Sequence, residues 1–196
     1  MSLIRVIVFI GLIVFSSVVL GQYLNINIFE DNQCVPGQGQ GVFNYKSGQC
    51  YGNIMYTCEP YDNHINMYFY KDLLCEDLID TGKININECG DPWINATYSC
   101  SNQPTVMPNS VVQLQFGSVQ NCADKSQIQF SDSTPQNTCY NGFINETIIV
   151  GCNSTHVTTY YFSDPHCSPN NIIDITYLPL GCYPDPQLGT IFTYCS

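Results

Sequence analysis

Residues 64–75, HINMYFYKDLLC, decide the fold. Ile65, Met67 and Phe69 alternate with Asn66, Tyr68 and Tyr70, the period-two pattern of a half-buried strand. A turn containing Asp72 then leads into Cys75. The same plan returns in YLNINIFEDNQC (23–34), VVQLQFGSVQNC (111–122) and HVTTYYFSDPHC (156–167). Each copy opens a triplet of cysteines: Cys34/Cys50/Cys58, Cys75/Cys89/Cys100, Cys122/Cys139/Cys152 and Cys167/Cys182/Cys195. Self-similarity at a period of roughly 40–50 residues marks repeated supersecondary units. The second face of the leading strand sorts the units into two types. It is mainly polar in the first and third (Asn25, Asn27; Gln113, Gln115) and aromatic in the second and fourth (Tyr68, Tyr70; Tyr160, Phe162). The chain therefore reads as a duplicated half, each half made of two units.

Two further strands are expected in each unit. Between the first and second cysteines lie GVFNY (41–45), KININ (83–87), SQIQF (126–130) and IIDITY (172–177). After the second come YGNIMYT (51–57), WINATYS (93–99), FINETIIV (143–150) and GTIFTY (189–194). All are rich in β-branched and aromatic residues and bounded by turn formers. The expected fold is all-β and disulfide-rich: two tandem small β-sandwich or barrel-like domains, each built from two three-stranded units of about 45 residues. SNQPTVMPNS (101–110), with Pro104 and Pro108, is the longest polar connection between units. It divides the chain into a first cysteine-rich domain over 22–103, a linker over 104–110 and a second domain over 111–196.

The N-terminus sets the compartment. Arg5 followed by the apolar run Val6–Leu20 reads as a signal peptide over residues 1–21, cut before Gln22. Twelve cysteines in a secretory chain imply a disulfide framework, and no C-x-x-C pair offers a zinc site. Three cysteines per unit force at least one bridge between units, and spacing leaves the connectivity open. Asn95, Asn145 and Asn153 head N-x-S/T sequons for N-glycosylation. Removal of Arg5, the only arginine, takes the net charge from −11 to −12, with Lys46, Lys71, Lys83 and Lys125 as the remaining cations. Such a charge excludes nucleic acid and anionic membrane surfaces as partners. No second apolar stretch implies membrane insertion once the signal peptide is removed.

Few residues invite catalysis. His64 and His156 open the same strand in equivalent units, a placement that fits scaffolding; His166 abuts Cys167. Neither a G-x-S-x-G nor an H-E-x-x-H motif occurs, so no catalytic residue and no cofactor are expected. Asp31, Asp72 and Asp164 each lie three residues before a unit's first cysteine, where the third unit has Val119; a turn-forming role explains the recurrence. Asp72, Glu76, Asp77 and Asp80 crowd around Cys75 without the spacing of a calcium loop, and a solvated acidic run is the expectation. Trp93, the only tryptophan, shares a strand face with Asn95 if 93–99 is extended. That makes it a candidate contact residue.

The F/Y-x-D-x-x-C segments (Phe29/Asp31/Cys34, Tyr70/Asp72/Cys75, Phe162/Asp164/Cys167), the leader and the Asn- and Tyr-rich composition carry a resemblance. The chain resembles small secreted proteins of social amoebae associated with the counting-factor complex, which reports cell number and limits aggregate size. The resemblance implies an extracellular, non-enzymatic role in cell–cell signalling, within a complex, and brings no catalytic residues. The expected partners are extracellular proteins or glycans, and a carbohydrate-binding lectin is the alternative reading.

Overall fold

The computed structural model describes residues 23–59, 62–90, 95–117, 121–141 and 147–196. The expected leader, Trp93, Val119 and the sequon residue Asn145 lie outside the described residues. Within them the protein is all-β, with no α-helix and two single-turn 3-10 helices at Lys125–Gln127 and Pro169–Asn171. The first half contributes β1 (Tyr23–Phe29), β2 (Gly39–Lys46), β3 (Cys50–Tyr51), β4 (Ile54–Cys58), β5 (His64–Tyr70), β6 (Leu78–Asn85) and β7 (Ala96–Ser101). The second contributes β8 (Ser110–Gln115), β9 (Phe130–Pro135), β10 (Cys139–Asn141), β11 (Thr147–Cys152), β12 (His156–Phe162), β13 (Ile172–Pro179), β14 (Gly181–Asp185) and β15 (Gly189–Cys195).

Both halves share a seven-stranded sheet of order β14-β15-β8-β9-β2-β1-β7, so β2 and β9 meet at its centre. Outward from that pair the order is β2, β1, β7 on one side and β9, β8, β15 on the other, with β14 added at the far edge. An approximate twofold axis thus passes through the Phe43↔Asp132 pair, flanked by Val42↔Ser133 and Asn44↔Ser131. Each half then lays a four-stranded antiparallel sheet on the same face of this platform: β3-β4-β5-β6 and β10-β11-β12-β13. In the first half Leu24, Ile26, Ile28, Ala96 and Tyr98 pack against Cys58 and Ile65; in the second Val111 packs against Val150 and Val157. These are two small sandwiches on one continuous sheet. The contacts between halves extend past the strands: Lys46 N–H donates to the Gln129 carbonyl (2.8 Å), Tyr23 Oη to that of Ile128 (2.8 Å), and Tyr51 Oη also to Gln129 O.

The repeat is less regular than its cysteines. The triplets Leu24/Ile26/Ile28 and Val112/Leu114/Phe116, equivalent by distance to Cys34 and Cys122, face opposite sides of the shared sheet. Leu24 lines up with Tyr45, Phe130 and Gln115, whereas Val112 lines up with Ser133 and Val42. Phe116 to Cys122 is one residue longer than Phe29 to Cys34, and one residue reverses every side chain of a strand. Val112, Leu114 and Phe116 therefore pack on the back face with Tyr23 and Ile128. Beside them the back face carries a row of polar side chains that is still buried. Asn25 Nδ2 donates to Ser101 Oγ (2.9 Å), Asn44 Nδ2 to Ser131 Oγ (2.8 Å), and the Ser110 and Ser133 hydroxyls lie 2.7 Å apart. The 102–109 connection covers this row. Thr105 exchanges hydrogen bonds with the Asn44 amide, and Met107 N–H donates to Ser133 Oγ.

All twelve cysteines are bridged, in the same order in both halves: Cys34–Cys89, Cys50–Cys75 and Cys58–Cys100; Cys122–Cys182, Cys139–Cys167 and Cys152–Cys195. The last bridge of each set ties the small sheet to the platform, β4 to β7 and β11 to β15. Three expected strands lie elsewhere. YGNIMYT is broken at Gly52, whose φ of +63° turns the chain between β3 and β4. KININ is the end of a strand that starts at Leu78. SQIQF gives way to the 3-10 turn capped by Asp124, and the strand is the polar Phe130–Pro135.

Candidate recognition surfaces

Each F/Y-x-D-x-x-C segment is a closed turn. Asp72 accepts from the backbone N–H groups of Leu74 (2.8 Å), Glu76 and Asp77 (2.7 Å), and Cys75 takes a left-handed φ of +56°. Asp164 accepts from His166 N–H (2.9 Å), Ser168 N–H and Asn171 Nδ2 (2.9 Å), with Cys167 at +51°. Asp31 accepts from Gln33 N–H, with Cys34 at +48°. The turns bring each cysteine to its partner. In the third unit Asn121 takes the part, accepting from Ala123 N–H, and Cys122 has no left-handed φ. Hydrogen bonds to the ionised form hold the Asp72 carboxyl (chiefly from Asp77 N–H) and the Asp164 carboxyl (chiefly from Asn171) below the ordinary carboxylate range.

In the acidic run near Cys75, Asp72 and Asp80 turn oxygens onto backbone. Both Asp72 oxygens hold the loop and Asp80 Oδ1 accepts from Thr81 N–H (2.8 Å). Among the described residues no three or more His, Cys, Asp or Glu side chains gather as a metal site. The histidines do not converge. His64 Nε2 lies 3.5 Å from the Asp62 carboxylate at the start of β5; His156 meets Thr155 Oγ1 (2.8 Å) and the edge of Tyr177; His166 is exposed on its loop. Of the two described sequon residues, Asn153 is exposed in a tight turn, its Oδ1 accepting from Thr155 N–H (2.8 Å) and His156 N–H (2.9 Å). Asn95 is half-buried, with Nδ2 donating to the Glu30 carbonyl.

Three features had no simple mark in the sequence. The first is a cleft of about 530 Å³ on the back face of the first half, between the sheet, the Pro36–Gly37 turn and the Thr105–Pro108 segment. Its lining mixes Phe29, Val42 and Met107 with Asn27, Asn87 and Thr97, and carries no charged side chain. The second is Asp132, at the axis between the halves. Burial pushes its carboxyl up to about 7, and its charge helps raise Tyr45 and Tyr140 in turn. The third is a set of exposed large apolar side chains. Leu73 and Leu74 are each 75% exposed on the Asp72 turn, and Leu78 and Ile79 follow at the start of β6. Ile172 and Ile173 begin the equivalent edge strand β13. On both edges an aspartate caps the next N–H, Asp80 that of Thr81 and Asp174 that of Ile175, which blunts strand addition there. The triplet Leu/Ile-Ile-Asp recurs at 78–80 and 172–174, a repeat whose meaning shows only once the two edges are folded.

No described helix is long and apolar enough to cross a membrane. No curated protein and no solved structure matches the chain. A family model described as counting factor-associated protein A/B/C matches residues 1–195, nearly the whole length, in agreement with the turn motifs above. The chain thus belongs to the counting factor-associated protein A/B/C family.

Proposed function

We propose that this protein is secreted, N-glycosylated and non-enzymatic, and that it acts by binding other extracellular molecules in a cell–cell signalling complex. The family match across residues 1–195 carries this reading. The site chemistry supports it. The cysteines are consumed in bridges, the motif aspartates hold their own loops, and the histidines sit apart. What the surface offers is apolar side chains on covalently clamped turns, a form suited to recognition. The test is to recover the tagged full chain from conditioned medium and measure its native size and glycans. The expected result is a glycan-bearing protein in an assembly several times the mass of one chain, which is 22.0 kDa before the leader is removed. A lone monomer that turns over a glycan or peptide would overturn the reading.

The uncharged cleft favours a second reading, a lectin. Side-chain amides and hydroxyls beside Phe29 and Met107 suit a neutral polyhydroxylated ligand. A glycan array probed with the intact protein, with Asn27→Ala as control, tests it; binding of no glycan removes it.

A further inference from the structure

We infer that the Leu73/Leu74 turn, with Leu78 and Ile79 at its base, is a docking surface for a partner that presents an apolar face flanked by lysine or arginine. The inference rests on the interaction reading above and names its surface.

The fold does not require these leucines. The equivalent turn of the second half is closed by the same device, an aspartate accepting backbone N–H groups before a left-handed, bridged cysteine, yet it carries Pro165 and His166. Two leucines each 75% exposed bring nothing to the core, and contiguous exposed apolar groups mark contact sites more often than chance. They are also held in place. The Cys50–Cys75 bridge, the three N–H bonds to Asp72 and the Lys71 N–H bond to the Asp77 carbonyl (2.9 Å) leave the turn little freedom to lose on binding.

Charge then selects the occupant. Glu76, Asp77 and Asp80, all exposed, lie in the same stretch of chain as the leucines, against Lys71 and, further along β6, Lys83. A second copy of this chain, itself strongly acidic, would meet like charge, as would an anionic membrane. A basic rim around an apolar face meets both requirements, as in electrostatically complementary interfaces generally.

The probe is a synthetic amphipathic peptide with a leucine face flanked by lysines. Two analogues accompany it, one with glutamate for lysine and one with serine for leucine, and each is titrated into the intact secreted protein by fluorescence anisotropy. Binding of the first peptide, at least tenfold weaker binding of both analogues and weakening as salt is raised are expected. Leu73→Ser/Leu74→Ser should lose at least tenfold with circular dichroism unchanged. Glu76→Gln/Asp77→Asn, which leaves the apolar groups alone, should weaken the lysine peptide and reduce its salt dependence. Ile173→Ser, on the edge of the second half, should bind as wild type. Equal binding of all three peptides, or of wild type and the leucine variant, overturns the inference. Fractionation of medium separates the two readings. A wild type that travels alone overturns the interaction reading, whereas a leucine variant that stays in the wild-type assembly overturns this surface only.

Discussion

Replacing Asp132 by Asn should change the pH dependence of stability with a definite sign. Asp132 projects from β9 opposite Phe43 of β2 and Gln113 of β8. It lines a recess of only about 30 Å³ beside Phe130, Leu188 and Ile191, and Tyr45 and Tyr140 feel its charge. No basic side chain is paired with it among the described residues. Burial raises its carboxyl from 3.8 to about 7, so between those values the folded protein holds a proton that the unfolded chain has released. This group's contribution is therefore favourable at low pH, declines as pH rises from about 4 to about 7, and is flat above. At roughly 1.4 kcal/mol per pH unit the full decline is about 4 kcal/mol. Urea unfolding between pH 4.5 and 7.5 should show the wild type losing stability across the window. Asp132→Asn should be flatter and, at pH 7.5, more stable by about 2 kcal/mol or more, the buried amide cancelling part of the gain. Parallel curves for the two proteins would refute the reasoning.

Three further outcomes follow from named contacts. Cys58→Ala/Cys100→Ala, which opens the 42-residue link between the small sheet and the platform, should cost about 4 kcal/mol in denaturant unfolding. Thr57→Val should stabilise by about 1 kcal/mol in the same assay, because Thr57 Oγ1 is buried without a hydrogen-bond partner. Asp72 and Asp164, depressed by hydrogen bonds, stabilise above the unfolded value of 3.8 and lose this as pH falls through their folded values. Asp72→Ala/Asp164→Ala should accordingly show a weaker loss below pH 4 and a lower yield of correctly bridged protein on oxidative refolding.

The leading strands were legible because alternation over six or seven residues is a local signal; β5 and β12 begin where the expected segments begin and span their alternating positions. The motif aspartates were legible for the same reason, since an Asp three residues before Cys acts on its own turn. The pairing of β2 with β9 was not. It joins residues far apart in sequence, and FSDSTP carries little β-propensity of its own; its place between two strands makes it extended. The inserted residue after Phe116 was visible, but its effect on which face is buried needed the register. The cysteine order was open by arithmetic alone. The exposed Leu73 and Leu74 looked like any apolar pair beside a cysteine, because exposure is a property of the folded surface and not of the segment.

The central claim is that two copies of one half, each closed by the same three bridges, are zipped into a single sheet. Non-reducing proteolysis and mass mapping of the native protein test it most directly. The account predicts Cys34–Cys89, Cys50–Cys75 and Cys58–Cys100, with Cys122–Cys182, Cys139–Cys167 and Cys152–Cys195 repeating their order. A free thiol, a different order in the two halves, or any link between residues 34–100 and 122–195 would contradict it.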